Sequence, residues 1–265
     1  IPADDTAELG PIVMDALRPD SFSSVYDAGG GAETGRPEVA SDAVLPDTGR
    51  IPEAGIETGS GPEVAQVPDA GTLHTVTFVT GIAKGAMSGY GWVTLGASDT
   101  VTSPTCGPNN AAITSSAPCS TTPNWDSSTA LCVSGFIPAL PPNPTPTDYS
   151  DNWGIMVGAN ASEPIGAIGR AYSTITLNFT GAPPTTLRAT VHRTGDPVGT
   201  TYCAFVTSGT PIALTSFNTS CWSGSGDNLT AADLPKIDKV GLQVPSTSSE
   251  ITIDRLCLNS IVFGI

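Results

Sequence analysis

The 265-residue chain is poor in positive charge: ten Lys and Arg stand against 25 Asp and Glu, for a net charge of −15. No basic cluster reverses that balance locally, so a phosphate backbone would be repelled and nucleic acid is not expected as a partner. No run of about 18 apolar residues occurs, so no transmembrane segment is expected. Only two His are present and there is no Cys-x-x-Cys pair, so the close-spaced ligands of a zinc site are missing. Gly-x-Ser-x-Gly is absent too, since the stretch GAMSG at Gly85 to Gly89 sets its Ser one place late for a nucleophile elbow. The chain opens at Ile1 with no basic n-region or apolar h-region, so any secretory signal has been removed or lies outside it.

Trp is absent from residues 1–70, where Gly, Pro, Asp and Glu recur at short intervals and 14 acidic residues face three Arg and no Lys. From Gly71 onward the counts are 11 acidic and seven basic residues. The first segment offers too little apolar surface to offset an ordering entropy of ~1 to 2 kcal/mol per residue. Residues 1–70 are therefore expected to be a disordered, acidic, Pro- and Gly-rich stalk, and residues 71–265 the folded domain. All six cysteines (Cys106, Cys119, Cys132, Cys203, Cys221 and Cys257) lie in that domain. An even number without metal-site spacing points to disulfides formed in an oxidising compartment. Cys203 and Cys221 flank one strand, turn and strand unit and are expected to pair, while the partners of the other four stay open. Four Asn-x-Ser/Thr sequons, at Asn160, Asn178, Asn218 and Asn228, would matter only in a eukaryotic secretory pathway.

From Leu73 the pattern becomes short runs of β-branched and aromatic residues separated by Gly, Pro, Asn and Ser, which reads as an all-β domain. Expected strands are Leu73 to Thr80, Tyr90 to Leu95, Leu131 to Phe136, Trp153 to Asn160, Tyr172 to Thr180, Leu187 to Arg193, Thr201 to Val206, Ile212 to Phe217, Ile237 to Val244 and Ile251 to Phe263. The last is long enough to need a bulge or break near Arg255. A single short helix is expected at Ala231 to Lys236, with Thr230 as its cap and Asp233 three residues on. Between Ser98 and Ser150 the chain reads as a long loop region, broken only around Leu131 and tied down by its three cysteines.

Alternation assigns faces, because strand side chains point to opposite sides with period two. Ile175, Leu177 and Phe179 share the inner face of their strand, as do Leu187, Ala189 and Val191, and Val240, Leu242 and Val244. Arg188, His192, Lys239 and Gln243 are left outside. Strands with one polar face each suggest antiparallel sheets packed on a shared core.

Catalytic chemistry has few candidates. His192 in VHRTGDP reads as a surface histidine near the turn carboxylate Asp196, with a general base as the minority reading. Glycoside hydrolysis needs two carboxylates about 5 to 9.5 Å apart. The two Glu of the domain, Glu163 and Glu250, fall in polar loop sequence, and the pairs Asp148 with Asp151 and Asp233 with Asp238 read first as turn caps. Asp254 stands inside the last apolar strand, where a buried carboxylate needs a cation or donors; an Arg or a turn backbone answers that need as well as Ca²⁺ does.

The aromatics divide by parity. Trp153 shares parity with Ile155 and Val157 and is expected in the core. Trp125 and Trp222 lie in loops, the latter beside Cys221, where either could stack on a disulfide or be exposed. In KGAMSGYGWVTLG, Val93 and Leu95 claim the inner face, so Tyr90 and Trp92 are expected to point away from the core, toward a flat ligand such as a sugar.

Toward the end of the chain, ALTSFNTSCW, LTAADLPKIDKVGLQV and ITIDRLCLNSIVF resemble the closing half of galactose-binding-like jelly-roll domains, especially carbohydrate-binding modules of secreted bacterial glycan-degrading proteins. Phe217, Trp222, Lys239 to Val244 and Asp254 carry the resemblance over roughly the last 80 residues. The Asp-Ala-Gly-bearing tail resembles linkers of myxobacterial secreted or lipid-anchored surface proteins. The resemblance implies a β-sandwich of jelly-roll type whose polar concave sheet receives a glycan, with a structural Ca²⁺ near the last strand and no other cofactor. It also implies a secreted or cell-surface location. The Cys-bearing insertion between Ser98 and Ser150 departs from that pattern and could cover the binding sheet or extend it.

The resulting expectation is an antiparallel β-sandwich on an extracellular stalk, binding a polysaccharide or cell-surface glycan without catalysis. Tyr90 and Trp92 would form the platform, with Arg188, His192 and Gln243 as polar partners. Two rivals are a structural or adhesive protein that meets another protein, and a jelly-roll glycoside hydrolase or polysaccharide lyase using His192 or an Asp pair.

Overall fold

A computed structural model of the chain describes residues 74–161, 166–197 and 199–265; the expected stalk at residues 1–70 lies outside them, as does Glu163. Thirteen strands follow along these residues: β1 His74–Val79, β2 Ile82–Gly85, β3 Gly89–Leu95, β4 Thr100–Cys106, β5 Ala111–Thr114, β6 Leu131–Ile137, β7 Ile155–Asn160, β8 Thr174–Thr180, β9 Leu187–Arg193, β10 Tyr202–Val206, β11 Ile212–Ala213, β12 Ile237–Val244 and β13 Ile251–Gly264. One short helix, α1 Pro146–Asp151, stands between β6 and β7.

All strand pairings are antiparallel. In the first sheet the long β13 pairs with β8 along one side, with β11 beyond it. Its other side takes β6, β4 and β5 along the first half and β1 and β2 along the last residues. The second sheet runs β10-β9-β12-β7-β3. β3 belongs to both: Gly89 and Tyr90 pair with β2, and Gly91 to Leu95 pair with β7.

A single apolar cluster joins the inner faces. Val76, Leu131, Leu177 and Phe263 from the first sheet pack with Val93, Val157, Ala189 and Leu242 from the second. Burying each such Val, Leu or Phe contributes about 1.5 to 3 kcal/mol, which is what makes the alternation in the sequence decisive. The inward sets expected on β8, β9 and β12 are all buried. In β13 the register shifts between Ile253 and Leu256, at the expected break around Arg255, and again between Leu258 and Ser260.

Several expectations give way to the structure. The Ser98 to Ser150 region contains β4 and β5, which extend the first sheet rather than lying over the second. Pro104 and two register shifts interrupt β4, so its sequence lacks a clean alternation. Ile212 to Phe217 is a strand for two residues and then a 3₁₀ turn, Leu214–Ser216. Ala231 to Lys236 is a turn followed by one 3₁₀ turn, Leu234–Lys236; the Thr230 amide and hydroxyl both donate to Asp233 Oδ2, so only the Asp233 half of the expected capping box forms. Trp153 is not among the core residues. Gly154 follows it with φ +100, a left-handed conformation that breaks the strand, so parity does not carry back from Ile155. Asp254 lies exposed beside the first bulge of β13, so its carboxylate has no burial that a cation must offset.

Six cysteines form three disulfides: Cys106–Cys119, Cys132–Cys257 and Cys203–Cys221. The second joins directly opposed residues of β6 and β13. The third joins β10 to the loop that precedes Leu229 and carries Trp222.

Candidate ligand-binding face

The registers of the second sheet place its outward side chains in rows. One row runs Trp92, Gly158, Gly241, Thr190, Cys203 from β3 to β10. The next runs Thr94, Met156, Gln243, Arg188, Phe205. On the other side of the first row stand Asn160, Lys239 and His192, with the Tyr90 amide donating to Asn160 Oδ1 at 3.2 Å. Tyr90, Trp92, Arg188, His192 and Gln243, picked from three separate strands, thus share one face. They do not share one environment.

Tyr90 is 46% exposed, whereas Trp92 is partly buried and lies along the sheet. A Cβ at Gly158 would come within 2.6 Å of Trp92 Cζ2, and one at Gly241 within 3.0 Å of Cη2. The two glycines therefore make the bed on which the indole rests. Its Nε1 is shielded from solvent and has no hydrogen-bond acceptor.

Gln243 faces outward but is buried, and its Nε2 donates to the Trp153 carbonyl at 2.9 Å. That commitment removes it from the expected polar partners. His192 pairs through Nδ1 with Asp238 Oδ1 at 2.6 Å, not with Asp196. Asp196 instead forms a two-point contact with Arg193, at 2.8 and 2.6 Å. An Asp-held imidazole is one part of a base arrangement, but the nearby Thr194 hydroxyl donates to the Gly166 carbonyl and to Asp238, on the carboxylate side of the pair.

Two of the carboxylates named as acid or base candidates are engaged elsewhere. Asp148 caps α1 reciprocally with Thr145, and those hydrogen bonds hold its carboxyl below the usual range. Asp233 is held at about 2 by the Thr230 hydroxyl and amide, with Arg193 adding to the effect. An open groove of about 500 Å³ lined by Pro184, Thr185, Thr247 and Ser249 to Thr252 contains one carboxylate, Glu250, and no aromatic ring. It offers neither the paired acids of a glycosidase nor a stacking platform.

Arg188 differs from the other arginines of the described residues. Arg193 binds Asp196 and Asp233, Arg255 lies 3.4 Å from Asp126, and Arg170 meets His74 Nε2 at 2.9 Å. Among the described residues Arg188 has only the Trp222 ring, 5.5 Å from its guanidinium carbon. Its Nε is buried without an acceptor, and burial pulls its pKa down.

Trp222 and Phe205, 39% and 54% exposed, flank Arg188 at the far margin of the sheet. Parity marks Phe205 as outward, but its neighbourhood with Arg188 depends on strand order, which local sequence does not encode. The loop bearing Trp222 is fixed by Cys203–Cys221 and by Asn218. The Asn218 side chain donates to the Gly226 carbonyl and Asn228 Oδ1 and accepts from the Ser220 and Gly226 amides.

Aromatic groups thus stand at both margins of the face, Tyr90 with Trp92 on β3 and Phe205 with Trp222 at β10. Four strand spacings separate β3 from β10, a span of roughly 19 Å. The arrangement can stack on more than one flat, partly apolar unit and hydrogen-bond between them. No protein-family model matches the chain, and no curated protein matches it.

Proposed function

We propose that the domain binds a polysaccharide, without catalysis, along the outer face of the second sheet. The carrying observation is the placement of rings at the two margins of one face, with Asn160, Lys239, His192 and Arg188 between or beside them. Rings stack on the C–H faces of sugars while amide, ammonium and guanidinium groups bond hydroxyls. The resemblance of the closing segments to galactose-binding-like carbohydrate-binding modules points the same way. An extended chain suits the roughly 19 Å between margins better than a single sugar does.

Retention of the protein on a panel of immobilised polysaccharides tests this reading. Tyr90→Ala should weaken retention with the melting temperature nearly unchanged, because the ring is exposed. Retention that is indifferent to Tyr90, Phe205 and Trp222 substitutions would sink it.

A second reading, adhesion to another protein, has its own support. Val79, Ile82 and Tyr90, each exposed, are aligned by the β1–β2 and β2–β3 registers into one apolar patch at the sheet corner. Ile82→Lys would abolish such adhesion while leaving polysaccharide retention in place.

A further inference from the structure

We infer that the glycan taken by this face carries carboxylates, one of which docks on the Arg188 guanidinium under the edge of Trp222. This rests on reading the face as a glycan-binding surface and names the chemical class of the sugar. Four observations lead to it.

First, Arg188 is the one described arginine without a polar partner: no carboxylate lies within 4 Å and none of its nitrogens has an acceptor among the described residues. Second, it is not a freely hydrated surface cation. Neighbouring side chains desolvate it and an indole covers one side, so part of the hydration that would stabilise its charge is already lost. A partly desolvated guanidinium without a counter-ion is left under-compensated, and a carboxylate meeting its two terminal nitrogens restores the missing charge through the planar fork that arginine offers.

Third, the charge on this face runs against the charge of the domain. From residue 71 onward acidic residues outnumber basic ones, 11 to seven. The paired outward positions of β3, β7, β12, β9 and β10 nevertheless hold the cations Arg188 and Lys239 and no Asp or Glu. The acid at the margin, Asp238, is taken by His192. Fourth, Lys239 and Arg188 sit four residue pairs apart along the adjacent strands β12 and β9, about 13 Å at the strand rise, with the Trp92 bed between their rows. Two cations at that spacing suit a polymer that repeats its negative charge, not a lone anionic ligand.

The test compares polygalacturonate with the same polymer after its carboxylates are reduced to primary alcohols, using the full 265-residue chain. The wild-type protein should bind the polyuronate at least tenfold tighter than the reduced polymer, and that preference should shrink as NaCl is raised. Arg188→Gln should lose on the order of tenfold to a hundredfold in affinity for the polyuronate and little for the reduced polymer. Arg188→Lys keeps a charge beneath Trp222 and removes the fork, so it should lose affinity as well; it carries the comparison if the Gln variant folds poorly.

Equal, salt-independent binding of the two polymers, or Arg188 variants with wild-type preference, overturns the inference. Binding only to neutral members of the panel, still sensitive to Tyr90→Ala, overturns it alone. Binding to no glycan at all overturns the reading of the face with it.

Discussion

Tyr90 and Trp92 sit two residues apart on the same side of β3, yet different forces hold them. Tyr90 stands in solvent, so removing its ring removes contact area for a ligand and little else. Trp92 rests on Gly158 and Gly241, so Trp92→Ala should cost about 1 to 3 kcal/mol of stability as well as binding. Thermal unfolding measured beside retention separates the two variants. Parity within KGAMSGYGWVTLG showed the direction of both rings. What lay under Trp92 could not be read there, because the glycines come from strands 66 and 149 residues further along the chain.

Asp99 gives the residue scale a pH dependence. It is 2% exposed, and one carboxylate oxygen accepts the Gly96 amide at 2.9 Å. Burial raises its pKa from 3.8 to about 6, against the lowering effect of the Gly96 and Gly154 amides. The unfolded chain gives up this proton more readily than the folded one, so stability falls as pH rises from about 4 to 6, by up to about 3 kcal/mol. Asp99→Asn should flatten that part of the stability-against-pH curve and raise stability at neutral pH. The lowered pKa of Asp233 acts with the opposite sign in another window, where stability is lost as pH falls from about 4 toward 2.

At the scale of elements, the loop from Asn218 to Asn228 matters most, because it brings Trp222 over Arg188. A disulfide and four side-chain hydrogen bonds of Asn218 fix it before any ligand arrives, which lowers the ordering cost of binding. Replacing Cys203 and Cys221 together by Ala should cost roughly 3 kcal/mol by the loop-closure argument, and should weaken binding in proportion to the contribution of Trp222. Denaturant unfolding and retention, measured on the double variant, check both parts. The Cys203–Cys221 pairing was legible because the two residues bracket one local unit. β4 and β5 were not, since Pro104 and the register shifts erase the alternation that marks a strand. Gln243 was placed on the correct face but not recognised as buried, because its partner is a backbone carbonyl 90 residues away.

For the whole molecule, the alternating strands made a two-layer antiparallel sandwich legible, and the inward sets of β8, β9 and β12 fill its core. Strand order was beyond local pattern. It alone decides that β9 and β10 lie beside β12, and so that Arg188, Phe205 and Trp222 meet at one margin. Three disulfides with no free cysteine fit an oxidising, extracellular setting, and no helix of the described residues is long and apolar enough to cross a membrane. Residues 71–265 also hold all four tryptophans, each with its own indole N–H, and these report directly on which surface a ligand meets.

Titrating a retained polysaccharide into the protein, with the four indole N–H signals followed by NMR, therefore asks the central question in one experiment. The outer face of the second sheet as binding surface predicts that the Trp92 and Trp222 signals move together and saturate. Trp125, packed against Gly81 and the core, should stay in place. Saturating glycan that leaves Trp92 and Trp222 unmoved would contradict the account.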